Sequence, residues 1–296
     1  MSNDNLKAHI AVLTGNFFFG ISVVAVKFLT PNVMAPLALN VLRVTIALPL
    51  FWLLFLFKPS KASIQKKDIP LFVLCAATGI AINQILFIQG TSMTSAIHAS
   101  LLSLGTPIAI TAIAFWFLKQ KITLNKTLGL ILGICGAATL ILIKTQADKD
   151  SSLIGDVFII INAISYACYL VLVQPLMATY KPEHVIRWVF LFGTLMIVPL
   201  GFNDTLKIKW EMFLWYHWLS LVFVVIGSTF LAYLFMVYGV DKLGAAVTGT
   251  YIYTQPIFAT ITSIILFNEK LTLVKVIAAI LIFVGVYLVN KKRKIQ

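Results

Sequence analysis

The sequence predicts an all-α integral membrane protein, with ten transmembrane helices arranged as two inverted five-helix repeats. Of its 296 residues, 60% are apolar and 11% are charged, where a soluble globule carries about a quarter charged residues. Ten apolar segments approach the ~20 residues that cross the hydrocarbon as helix. Shifting the sequence by 149 lays Gly90–Lys126 on Gly239–Lys275, with Pro107 on Pro256 and Lys121 on Lys270. Carried on without a gap from Gly90 to Leu140, the match holds twelve identities in 51 positions. Composition alone gives about four or five, so the chain is read as internally duplicated.

The segments run at 8–28, 35–57, 69–90, 95–118, 124–144, 154–178, 185–203, 215–238, 244–267 and 272–290. Segment one follows MSNDNLKAHI, is too long for a signal-peptide core and has no small-residue cleavage site after it, so it is read as a retained span. Segment two carries Arg43 about 12 Å deep at 1.5 Å per residue. Such a central Arg costs about 2.5–3.5 kcal/mol to insert and needs a partner. Segments four and nine carry Pro107 and Pro256, read as paired interruptions near mid-membrane that release backbone groups and let helices bend during gating. Gly129 and Gly133 in segment five form a GxxxG for close helix approach within the monomer.

Gln146 to Ser152 is the natural seam, dividing a first repeat at 8–146 from a second at 153–290, with a basic tail at 291–296. Trp116, Trp188, Trp210, Trp215 and Trp218 fall near span ends, as an interfacial belt does. Cys75, Cys135 and Cys168 lie inside apolar segments without a CxxC pair, so inert core thiols are expected, with no disulfide framework or metal site.

Orientation follows from the basic residues. With the amino terminus cytoplasmic, fifteen Lys and Arg fall inside and seven outside, so both termini are expected in the cytoplasm. The net charge of +13 then reads as orientation signals and contacts with anionic lipid, and no aromatic-interleaved basic stripe remains for nucleic acid. Because five helices is an odd number, the second repeat enters the membrane from the opposite side. Such inverted repeats typify secondary carriers that alternate access around a midplane site.

Several motifs carry a family likeness: GNFFFG at Gly15 to Gly20, Arg43, ASLLSLGTPIAITAIAFWFLKQKIT in segment four, GDVFIIINAISYA in segment six, and AAVTGTYIYTQPIFATITSIILFNEKLT in segment nine. With these the chain resembles the EamA group of the drug/metabolite transporter superfamily over nearly its whole length. The resemblance implies a carrier of small organic solutes, often an exporter of amino acids or related metabolites. Segments one, three, four, six, eight and nine would line its cavity. Gln120 departs from the family's usual Glu, which the second copy keeps as Glu269; an ion-paired gate at the first copy would be weakened.

None of the ten acidic residues falls mid-span. A carboxylate-coupled mechanism is therefore not expected unless Asp156 or Glu269 dips into the cavity. Lys27, Arg43 and His98 all fall in the outer half, which reads as an electropositive region favouring a carboxylate-bearing solute. Against that stand plainer readings: Lys27 snorkelling to water, Arg43 bonded to carbonyls as packing glue, and His98 as a neutral packing residue rather than a cavity-facing group able to titrate.

Asn83, Gln84, His98, Tyr233, Tyr251 and Gln255 are the substrate-binding candidates. Tyr251 and Gln255 stand one turn apart on one face, and the 149 shift pairs Gln84 with Tyr233. Asn16, Asn162 and Tyr166 are weaker cavity candidates. Lys27, Arg43 and Glu269 are charge or gating candidates. Each polar group has an alternative as helix-to-helix glue. No cofactor is expected, and the state is a monomer or weak homodimer. Catalysis is not expected, since GxSxG, HExxH and paired intramembrane carboxylates are missing. Competing readings are a drug or cationic-compound efflux carrier and a non-transporting membrane sensor or scaffold.

Overall fold

A computed structural model describes residues 3–57, 63–118, 124–143, 152–243, 248 and 251–290, and among these the regular structure is helical throughout. Six helices are long and apolar enough to cross a membrane, and four shorter apolar helices accompany them. Their outward faces carry large apolar side chains, such as Ile265 at 70% and Leu273 at 74% exposure. Lipid satisfies such a surface and water does not. The protein is an integral membrane protein.

In chain order the helices are α1 (Asn3–Leu29), α2 (Pro36–Phe57), α3 (Lys66–Met93) and α4, which spans 96–118 as two pieces, Ala96–Ser103 and Gly105–Leu118. Next come α5 (Leu124–Leu142), α6, which spans 153–179 as two pieces, Leu153–Leu172 and Gln174–Thr179, and α7 (Pro182–Leu206). α8 spans 215–243, α9 is Tyr251–Phe267, and α10 is Leu273–Asn290. Two pairs of helix bounds follow the 149-residue shift. Adding 149 to α2 gives 185–206 and to α5 gives 273–291, each within three residues of the observed α7 and α10.

Local sequence sets several of these ends. Ser95 and Ser152 cap α4 and α6 by accepting from the N–H groups of His98 and Gly155, at 3.1 and 3.0 Å, which satisfies donors the first turn leaves open. α9 ends at Asn268 in the left-handed region, φ 52°, a conformation Asn tolerates.

Segment four, expected as one continuous span, is interrupted at Leu104. Pro107 has no N–H for the carbonyl four residues back, and Thr106 Oγ1 donates to that Ser103 carbonyl instead, at 2.9 Å. α9 opens as a tight 3₁₀ turn over Tyr251–Thr254 before its α-helix begins at Gln255, and Pro256 lies in the first turn of that helix.

Two further interruptions carry no proline. α3 widens into a π-helix at Ala77–Ala81 and α8 does so at Phe223–Leu231. Moved by 149, the first becomes 226–230 and falls inside the second. The released carbonyls find partners: Thr78 O accepts from Ser165 Oγ at 2.7 Å, and Val224 O accepts from Thr229 Oγ1 at 2.7 Å.

Packing obeys the same duplication. α5 lies along α10, α2 along α7, α1 along α8 and α9, and α6 along α3 and α4. Exchanging the repeats turns each pairing into another of the set. Glycines allow close approaches between these pairs. A Cβ on Gly285 of α10 would stand 2.6 Å from Gly129 O and 2.8 Å from Gly133 N, and one on Gly90 of α3 would stand 2.9 Å from Gly155 O of α6. The GxxxG of α5 is thus filled from within the chain.

Trp210, Trp215 and Trp218 are exposed, while Trp188 packs on Trp52 with ring centroids 5.6 Å apart; the side chain of Trp116 lies outside the described residues. Cys75 is buried and Cys168 half-buried, all three thiols being free. Cys135, expected in the core, is exposed, because that side of α5 points away from α10.

Candidate functional site

A cavity of about 120 Å³ lies where the repeats meet. From the first repeat it is walled by Phe19, Ser22 and Val23 of α1, Arg43 of α2, Asn83, Gln84 and Phe87 of α3, and Ser100, Ser103 and Thr106 of α4. The second repeat adds Asn162 and Tyr166 of α6, Tyr233 and Met236 of α8, and Ile252 and Gln255 of α9. Four of the five helix interruptions abut it, the break at Val173 of α6 standing apart: Asn83 and Tyr233 each follow a π-helix by two residues, Ser103 and Thr106 flank the break in α4, and Ile252 belongs to the 3₁₀ turn of α9. Under the 149 shift, Gln84 pairs with Tyr233, Phe87 with Met236, Ser103 with Ile252 and Thr106 with Gln255. The duplicated helices therefore offer the cavity equivalent positions filled by different chemistry.

The polar wall is held by specific bonds. Asn162 Nδ2 donates to the Asn83 carbonyl at 2.7 Å, and Asn83 Nδ2 returns a bond to the Asn162 carbonyl at 3.4 Å, tying α3 to α6. Gln255 Nε2 donates to Asn16 Oδ1 at 2.7 Å, while Asn16 Nδ2 donates to Val12 O at 2.8 Å. Asn16 stands behind the wall and orients Gln255. Tyr233 meets the rings of Phe19 and Phe190 edge-on at 5.6 and 5.1 Å. Gln84 sets its amide beside the Tyr233 hydroxyl, without complete hydrogen-bond geometry at either of its polar atoms.

Arg43, whose plainer reading was packing glue on carbonyls, lines the cavity and donates from Nε to Thr229 Oγ1 at 2.8 Å.

Of the remaining candidates, three gather with Asp156 at the end of the bundle where α1 finishes. Lys27 Nζ donates to the Thr94 carbonyl at 2.8 Å and lies 4.0 Å from Glu269 Oε1, rather than snorkelling to water. Glu269 accepts from the N–H groups of Ala96 and Ile97 at 2.9 and 3.2 Å, capping α4 from the other repeat. His98, buried at 1% exposure, places Nδ1 3.5 Å from Asp156 Oδ1, which also accepts from Thr94 Oγ1. His98 is not among the cavity-lining residues. The expected electropositive region is thus divided: carboxylates stand beside Lys27 and His98, and Arg43 alone of the three reaches the cavity.

Tyr251, expected to share a face with Gln255, meets His9 Nδ1 through its hydroxyl at 2.7 Å. The 3₁₀ turn advances the chain by 120° per residue instead of 100°, which rotates Tyr251 off the Gln255 face. Gln120 lies outside the described residues.

Phe19, Ser100, Ser103 and Thr106 were not singled out in the sequence. The duplication held a signal for one of them, since Thr106 is the 149-shift mate of Gln255. The π-helices have no comparable mark.

A helical membrane bundle with a cavity of mixed polar and apolar lining between its two halves has the build of a membrane transporter. The EamA-like transporter family model matches the chain twice, at residues 6–142 and 153–291. The chain belongs to that family. It is 23% identical to YetK of Bacillus subtilis, described as an uncharacterized transporter, over 97% of this chain and 88% of that one. It is 24% identical to an uncharacterized transporter of Archaeoglobus fulgidus, over 93% and 96% of the two chains, and 22% identical to Protein WALLS ARE THIN 1 of Arabidopsis thaliana, over 97% and 83%. A solved crystal structure shares the fold at a TM-score of 0.66 and 15% identity, covering 95% of this chain and 96% of the other.

Proposed function

We propose that this transporter is a secondary carrier, with ten spans in two inverted repeats, that moves small organic metabolites by alternating access. Amino acids or related carboxylate-bearing solutes are the substrate class and export is the direction. The observation that carries the reading is that four of the five helix interruptions, two from each repeat, meet at a single cavity wall. Broken helices in a membrane expose backbone groups and turn rigid rods into hinges, and both effects serve a site that binds and opens.

The two ends differ. Where α1 finishes, Lys27–Glu269, the Glu269 cap on α4 and the Asp156 cluster join the repeats. At the other end α1 meets α9 through the His9–Tyr251 bond. The charge count supports an extracellular first end with both termini in the cytoplasm, and the family resemblance and short loops support a bacterial inner membrane. The conformation described is then closed to the outside, and opening outward requires Glu269 to leave α4. A carrier of cationic drugs would be favoured by an acidic cavity wall, and among the described residues that line it none is acidic.

The test is uptake of labelled metabolites into proteoliposomes, with and without an imposed pH gradient. Saturable flux that competes with unlabelled solute is expected. Ligand binding without flux for every solute tried sinks the carrier reading in favour of a sensor.

A further inference from the structure

We infer that Arg43 is the anion-binding residue of the cavity, and that the solute it receives is an amphipathic organic monoanion: one carboxylate on an apolar body. The inference rests on the carrier reading and deepens it.

Three observations carry it. Arg43 is 4% exposed and lines the cavity, and its Nη1 is buried with no hydrogen-bond partner. A guanidinium is a planar fork of five N–H donors that matches a carboxylate, so a cation held this way at low dielectric is completed by an anion. No such anion comes from the protein: among the described residues no carboxylate lines the cavity or pairs with Arg43, whose ionisable neighbour is Tyr233. Alongside its amides and hydroxyls, the wall offers Phe19, Val23, Phe87, Met236 and Ile252, which accept an apolar body.

The π-helix of α8 supplies the aim. It brings Thr229 Oγ1 within 2.7 Å of the Val224 carbonyl, five residues back, so the hydroxyl proton is committed there. The Thr229 oxygen is then left as an acceptor, and it takes Arg43 Nε at 2.8 Å. One edge of the guanidinium is thereby pinned and the other is left for solute.

The test uses the purified full-length protein and matched probes: propionate, hexanoate and phenylacetate, each beside its own amide, with phenethylamine as the cation. Thermal unfolding in detergent reads binding, and proteoliposome uptake reads flux. At least one carboxylate is expected to raise the unfolding midpoint where its amide and the amine do not. Arg43→Gln is expected to weaken the apparent affinity at least about tenfold, the loss of a charge-assisted bond. Arg43→Lys retains part of the response, and Thr229→Val lowers the midpoint while leaving the preference for carboxylate over amide.

If no carboxylate outperforms its amide, or if a folded Arg43→Gln protein responds as the parent does, the inference is overturned. Should Arg43→Gln fail to fold, the carboxylate and amide comparison on the parent decides. Carboxylate binding that depends on Arg43 but gives no flux supports this site and sinks the carrier reading. Saturable flux of neutral solutes that is indifferent to Arg43 does the reverse.

Discussion

Glu269 serves two groups at once. Its oxygens accept from Ala96 and Ile97, and its charge lies near Lys27. Losing a helix cap costs about 0.5–2 kcal/mol, so Glu269→Ala is expected to lower the unfolding midpoint in detergent. Glu269→Gln recovers part of the loss, because an amide oxygen still accepts one N–H. Equal midpoints for the two variants would show that the cap contributes nothing. Asn16 lies behind the cavity wall, its side chain receiving Gln255. Asn16→Ala should reduce flux by raising KM while expression and fold are kept, and an unchanged KM would remove Gln255 from the site. The sequence marked both Asn16 and Glu269 as candidates. It could not assign their roles, because a polar side chain on a helix that is apolar all round points to no particular neighbour.

Among the elements, α5 and α10 form the tightest pair and the site does not touch them. A Cβ on Gly285 would press on Gly129 O at 2.6 Å, where backbone cannot yield. Gly285→Leu is therefore expected to destabilise by about 1–3 kcal/mol, as overpacking does, read as a lower unfolding midpoint with the carboxylate response intact in the surviving fold. The π-helices make the opposite case, lying against the site with no sequence signature. Deleting one residue within Phe223–Leu231 should restore a regular α-helix, turn Thr229 away from Arg43 and abolish the carboxylate response. A deletion protein that still answers carboxylate would separate the π-helix from solute binding.

At the scale of the whole molecule, Lys27 and Glu269 join opposite repeats at one end. A protein carrying Lys27→Cys and Glu269→Cys, with the three native thiols replaced, should lose flux when a short bifunctional thiol reagent joins the pair. Cleaving the reagent's own linkage should restore it. Transport that persists in the joined protein shows that this end does not open.

Apolar segments and the 149-residue self-similarity were legible along the chain because both are written in the sequence itself. About 20 apolar residues make a spanning helix whatever surrounds them, and a repeat is written in identities such as Pro107 with Pro256. Helix rotation was not legible. Segments apolar on every side carry no stripe to say which face is inward, so Lys27, Arg43 and His98 looked alike as three cations in one half of the membrane. Tertiary packing decided among them: α6 and α9 brought Asp156 and Glu269 to two of the three, and α8 brought only a threonine hydroxyl to Arg43. A charge in a membrane is defined by what meets it, and that depends on neighbours more than a hundred residues away.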